Sequence, residues 1–148
     1  MSQDNPKLPP GQVRTTRFPP IGEREPTPEA LDREGWRLEV GGHVAQPHVW
    51  TWDMIMALPQ QERVVDVHCV TGWSRLGTTI VGVPLAEVLN ASVPHEDAQF
   101  VHFEAYSERR HDTSLPLEVA LEDTWLIHGV DGAPLPVKHG GPLRTVIR

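Results

Sequence analysis

Residues 62–75 read Glu-Arg-Val-Val-Asp-Val-His-Cys-Val-Thr-Gly-Trp-Ser-Arg. From Glu62 to Cys69 the residues alternate. Val65, Val67 and Cys69 share one face and Val64, Asp66 and His68 share the other, which reads as a strand. Cys69 is the only cysteine in 148 residues. It ends the strand and opens a Thr71–Ser74 segment whose glycine signals a turn. A thiol at the mouth of a strand is what a one-thiolate metal site or a thiol nucleophile requires. A small buried hydrophobe is the plainer reading. On a regular strand His68 and Cys69 point to opposite sides and cannot both ligate one metal.

Upstream, Trp36, Leu38 and Val40 alternate with Arg37 and Glu39. Gly41-Gly42 predicts a turn to a strand at His43-Val44-Ala45, ended by Pro47. Thr51 is placed to N-cap a short helix from Trp52 to Leu58, stopped by Pro59. Downstream, Pro84 suits the first turn of a helix through Leu89. Phe100 to Tyr106 reads as a strand, and Ser114 can cap a helix over Leu115 to Leu121. Trp125–His128 leads to Asp131-Gly132, a second hairpin signal. His139-Gly140-Gly141-Pro142 reads as a tight loop before a last strand at Thr145–Ile147. Residues 106–114 form a charged loop, either solvated or facing a substrate or partner.

Residues 1–30 are polar and proline-rich. They are expected to form an N-terminal arm, either disordered or extended across the domain on Phe18 and Ile21. Strands outnumber the short helices, and neither a repeat nor a βαβ rhythm is visible. The expected class is α+β, with a mixed, strongly bent sheet or partial barrel.

The length fits one domain over 1–148. A net charge of −7 without a basic stripe argues against nucleic acid as the main partner. A single cysteine excludes an intrachain disulfide, and an iron–sulfur cluster or c-type haem held by this chain alone. The N-terminus shows no signal peptide, and no apolar run approaches the roughly 18 residues of a membrane span. The expectation is a cytoplasmic protein without a membrane span. The 15 prolines and 12 glycines predict turns and ordered loops rather than a helix bundle.

Several chemistries fit parts of the chain. Acyl transfer at Cys69 needs a base, and spacing does not choose among His102, His111, His128 and His139. Structural zinc lacks its usual paired cysteines. Neither a P-loop nor a G-x-G-x-x-G is present. The run from His139 to Arg144 does combine glycine backbone with an arginine that can grip an anion.

Asp66-Val67-His68-Cys69-Val70-Thr71-Gly72-Trp73-Ser74 resembles the cysteine loop of the sulfite-oxidase-type molybdopterin oxidoreductases. The order of the surrounding motifs is similar as well. Trp36 to Val44 and the Thr51-Trp52-Asp53 to Leu58-Pro59 segment precede it. Gly82-Val83-Pro84-Leu85, Leu115-Pro116-Leu117, Asp131-Gly132 with Pro134-Leu135, and His139 to Arg144 follow. Leu8-Pro9-Pro10-Gly11-Gln12 and Phe18-Pro19 look like the opening of the small stand-alone bacterial members.

The resemblance implies the sulfite oxidase molybdopterin-binding fold and a molybdenum–molybdopterin cofactor. Cys69 would be the metal ligand and the catalytic residue. Thiolate is a soft ligand suited to that task. The implied chemistry is two-electron oxygen-atom transfer on a small sulfite-like or sulfoxide-like substrate. Thr71, Gly72, Trp73 and Ser74 would shape the pocket beside the metal. Gly140, Gly141 and Arg144 would serve the pterin or its phosphate, and His68 would join if the loop bends. Arg75, Phe18 and His139 are secondary candidates. With no haem or flavin motif, electrons would pass through a separate electron-transfer protein. A homo-oligomer is compatible with the sequence.

Three departures stand beside the resemblance. The family continues past the Pro-Leu-Arg strand with an aromatic-x-Lys-Ser-x-Lys-Trp segment that does not occur here. That keeps open an alternative, a cofactor-free binding or interaction domain of the same fold. Gly72 stands where many relatives carry arginine, which removes a cation that would attract sulfite. The exported bacterial sulfoxide reductases carry a twin-arginine signal that this sequence does not show.

Overall fold

A computed structural model describes residues 8–20 and 25–148. Ile21, expected to anchor the arm, lies outside them. The arm contributes β1 (Val13–Arg14), and α1 (Pro28–Leu31) follows. Next come β2 (Arg37–Val40), β3 (His48–Thr51) and α2 (Trp52–Ala57). A long hairpin, β4 (Gln61–Cys69) and β5 (Trp73–Pro84), runs into α3 (Leu85–Ala91). The second half holds β6 (Phe100–Glu104), β7 (Asp112–Pro116), α4 (Leu117–Asp123) and β8 (Thr124–Val130). It ends with β9 (Ala133–Pro134), a 3-10 turn at Val137–His139, and β10 (Arg144–Ile147).

Strand β5 is the spine of a mixed, six-stranded sheet. Antiparallel β4 follows it on one side. On the other side β1 pairs in parallel at Trp73 and Ser74, and β8 pairs antiparallel from Ile80 to Pro84. Strand β8 in turn carries β9 and β10. Two small antiparallel sheets, β2–β3 and β6–β7, stand apart. Register shifts between Val65 and Val67 in β4 and between Val81 and Gly82 in β5 increase local twist and bend the sheet. The α+β class and the bent, barrel-like sheet agree with the sequence.

The core gathers where β5 ends. Trp36, Trp50, Trp52, Ile55, Val83, Leu85, Val88, Leu89, Ala120 and Leu126 pack into one cluster. Trp36 and Trp52 meet edge to face with centroids 5.3 Å apart, a favoured aromatic geometry. Thr51 caps α2 as expected, its hydroxyl accepting from the Met54 amide at 3.2 Å.

Two expected elements are corrected. The partner of β2 is His48–Thr51, so the chain crosses 41–47 as a longer connection. Val44 makes only an isolated bridge to Pro94. Ser114 does not cap a helix, since residues 112–116 form β7 and α4 starts after Pro116. Proline lacks an N–H, so it tends to sit at the start of a helix rather than inside one. Asp131 and Gly132 do form the two-residue turn, with φ of 50° and 78°, as a type I′ hairpin requires.

The charged 106–114 stretch is a loop only as far as His111, since Asp112–Ser114 belong to β7; within it exposed Arg110 pairs with Glu104 at 2.6 Å. Among the described residues no helix is long and apolar enough to cross a membrane.

Candidate functional site

The loop between β4 and β5 is three residues long, because Cys69 pairs with Trp73. It closes through the Gly72 amide, which donates to the Cys69 carbonyl at 2.9 Å. Gly72 has φ of +94°, a conformation that strains any residue with a Cβ. Turn geometry therefore explains glycine where an arginine was the family alternative.

Cys69 is 7% exposed, whereas its neighbour Val70 is 100% exposed. The Cys69 Sγ lies 3.0 Å from the Thr71 hydroxyl. Val65, Val67 and Cys69 are the more buried residues of β4, and exposed His68 lies on the opposite face, as the alternation predicted. The ring of His68 turns to Ser74, with Nδ1 2.7 Å from the hydroxyl oxygen. Ser74 is fully buried.

The arm lies extended along this loop. The Val13 amide donates to the Gly72 carbonyl at 2.9 Å, and the Thr15 amide to the Ser74 carbonyl at 2.8 Å. Gln12 reaches across with both ends. Its amide nitrogen donates to the Cys69 carbonyl at 2.9 Å, and its oxygen accepts from the Ser74 hydroxyl at 2.9 Å. Composition gave no reason to single out Gln12, since its contacts cross 57 and 62 positions of sequence.

Phe18 joins the cysteine loop to the glycine loop. Its ring meets Trp73 at 5.8 Å and His139 at 4.7 Å, both edge to face. Arg75 sits 5.6 Å from the same ring. The Arg75 guanidinium also bonds Thr78 at 3.0 Å and pairs with Asp131. That hydrogen bond holds the Asp131 carboxyl below the usual carboxylate range. Phe18, Arg75, Asp131, Lys138 and His139 line a cleft of about 290 Å³.

His139 is buried, and burial, then the Lys138 and Arg144 cations, push its pKa below the ordinary 6.5. A larger cleft of about 330 Å³, beside Arg33, Trp52 and His128, contains none of the cysteine-loop residues.

The glycine loop differs from what its sequence promised. Gly140 donates its amide to Val137 and Gly141 to Pro136, at 2.9 and 3.0 Å. Both N–H groups are thus spent within the loop. A Cβ on Gly141 would run into the Leu135 carbonyl, so packing against its own chain explains that glycine. Arg144 holds the His139 carbonyl at 3.0 Å and approaches the Thr145 carbonyl at 3.4 Å. These bonds use two of its five donors. Its residue surface is exposed, yet nearby atoms desolvate the guanidinium and lower its pKa. It is a cation at neutral pH in either case. The glycine amides are therefore not free to meet an anion, whereas Arg144 keeps donors to spare.

Among the described residues, no three His, Cys, Asp or Glu side chains converge as a metal-binding group.

The chain is similar to several known proteins. Residues 24–148 match the family described as the oxidoreductase molybdopterin binding domain. The uncharacterized oxidoreductase YuiH of Bacillus subtilis is 36% identical over 146 residues, 98% of this chain and 72% of that protein. A protein-methionine-sulfoxide reductase catalytic subunit, MsrP of Burkholderia mallei, is 31% identical over 127 residues. That match covers 76% of this chain and 38% of that protein. The crystal structure of the sulfane dehydrogenase SoxCD from Paracoccus pantotrophus superposes with a TM-score of 0.71 at 22% identity. It covers 79% of this chain and 34% of that one, a likeness of fold.

Proposed function

The chain belongs to the oxidoreductase molybdopterin-binding domain family, with a molybdenum–molybdopterin cofactor, and from that premise we propose that it catalyses oxygen-atom transfer on a small sulfur substrate with Cys69 as the metal ligand. The observation that carries this reading is the isolation of Cys69. It is a single soft donor, buried at the tip of a braced hairpin, with no group of three ligating side chains among the described residues. A dithiolene cofactor that supplies its own sulfur ligands fits such a centre, whereas a bare metal ion does not. When bound, the cofactor supplies the two-electron oxygen-atom chemistry.

The chain's residues hold and shield. The Thr71 hydroxyl lies 3.0 Å from the Cys69 sulfur and would donate to it once it is a metal-bound thiolate. Trp73 and Phe18 form an aromatic wall beside the loop, and exclusion of water strengthens the electrostatic contacts behind it. Arg144 stands as the cation for a pterin phosphate, with the bidentate geometry that guanidinium allows. Gly140 and Gly141 shape the turn that presents it.

Between the two substrate classes, the loop favours a neutral sulfoxide over an anionic sulfite. Gly72 places no charge at the tip, and the nearby Arg75 is already paired with Asp131. A sulfoxide takes up two electrons and two protons and leaves as a sulfide and water. The electrons come from a separate electron-transfer protein. The test is turnover of the molybdenum-loaded chain, with reduced viologen and dimethyl or methionine sulfoxide, against sulfite with ferricyanide. Faster sulfoxide reduction, abolished in Cys69→Ser, is expected. Turnover of sulfite alone would reverse the choice of substrate.

A further inference from the structure

We propose that Gln12, in the N-terminal arm, is a positioning residue for the Cys69 ligand, acting at the end of a hydrogen-bond relay of fixed direction. The proposal rests on Cys69 holding the metal. The direction follows from donor and acceptor inventory alone. A carbonyl oxygen only accepts, so the Gln12 end facing Cys69 is its NH₂ group. The amide oxygen therefore faces Ser74, whose one hydroxyl proton must go to it. With that proton committed, Ser74 can only accept from His68, and the His68 ring must carry its hydrogen on Nδ1.

The relay thus runs from His68 through Ser74 and Gln12 to the Cys69 carbonyl. That carbonyl also accepts from the Gly72 amide, so both of its lone pairs are used. Ser74 is fully buried, where an unmade hydrogen bond is costly and a complete chain polarises its members. The Val13 and Thr15 amide bonds hold Gln12 in register from the arm side. The carbonyl and the sulfur belong to the same residue, so fixing one restricts the other.

Gln12→Leu and Gln12→Glu separate the two ends of the relay. The leucine variant breaks both. A glutamate still accepts from Ser74 but cannot donate to the Cys69 carbonyl. The first readout is ¹⁵N NMR of His68 in the cofactor-free chain at alkaline pH. Wild type and Gln12→Glu should show the Nδ1–H tautomer. Gln12→Leu frees the Ser74 proton and should shift the ring toward Nε2–H. The second readout is the Mo(V) EPR spectrum of loaded chain and its molybdenum loss on dialysis.

Both variants should alter the spectrum and lose metal about tenfold faster, the scale of one neutral hydrogen bond. If Gln12→Leu does not fold, Gln12→Glu alone still tests the Cys69 end. An Nε2–H tautomer in wild type would overturn the relay. Unchanged spectra in both variants, with metal lost in Cys69→Ser, would overturn the positioning role and leave the ligand standing. Molybdenum retained by Cys69→Ser would overturn the ligand assignment instead.

Discussion

At its Val83 end β5 is held by packing; at its Trp73 end it is held by hydrogen bonds. Val83 is fully buried in the cluster of tryptophans and aliphatic side chains. Ten residues back, Trp73 and Ser74 have β4 on one side and β1 on the other. There the buried side chain is a serine, tied to His68 and Gln12. Apolar packing is non-directional, so it stabilises the fold without fixing one side chain. Hydrogen bonds are directional, which is what the cysteine loop would need to hold a ligand under the proposed function. The two ends should therefore answer differently to substitution.

The largest effect is expected in the packed end. Ile55 is fully buried, and Ile55→Ala should cost about 3 kcal/mol in urea unfolding. Molybdenum per folded chain should stay unchanged. A loss beyond the unfolded fraction would mean that the two ends are coupled. At the bonded end, Ser74→Ala should cost roughly 1–2 kcal/mol by stranding the Gln12 and His68 partners. Here metal retention should fall even in fully folded protein.

A smaller effect comes from pH. Burial leads in lowering the pKa of both His128 and His139, from an ordinary 6.5. The unfolded chain then binds protons that the folded chain does not, so stability is lost as pH falls below 6.5 toward the folded values. Thermal melts between neutral and mildly acidic pH should show this fall, and His128→Gln should reduce it. Smallest is the Arg75–Asp131 pair beside the Phe18 cleft. Asp131→Asn should change stability by under about 1 kcal/mol, since that pair is partly exposed. A larger loss would show that this cleft, too, depends on directional bonds.

Most of the framework was legible where periodicity was clean. The alternation through Val65, Val67 and Cys69 placed β4 and the buried thiol correctly, and Thr51 marked the start of α2. Strand β5 escaped notice because Gly77 and Gly82 interrupt its pattern, and a bulge consumes Leu76 and Gly77. Local signals also misled at Ser114, a good cap that tertiary pairing assigned to β7. The cysteine loop was recognisable from its residues in order. Gln12 stood in the recognisable opening Leu8–Gln12, but its contacts were not legible, because they form only once β1 lies against β5. The glycine loop was half legible. Its turn was foreseen, while the internal use of its two amides required the backbone geometry.

The most direct test of the account is molybdenum and pterin content of the full chain, made in a cofactor-producing host, beside Cys69→Ser with folding checked by circular dichroism. Stoichiometric molybdenum and pterin in the wild type, with the metal lost in a folded serine variant, is the predicted result. Molybdenum retained without the thiol, or a folded wild type that carries neither metal nor pterin, would contradict it.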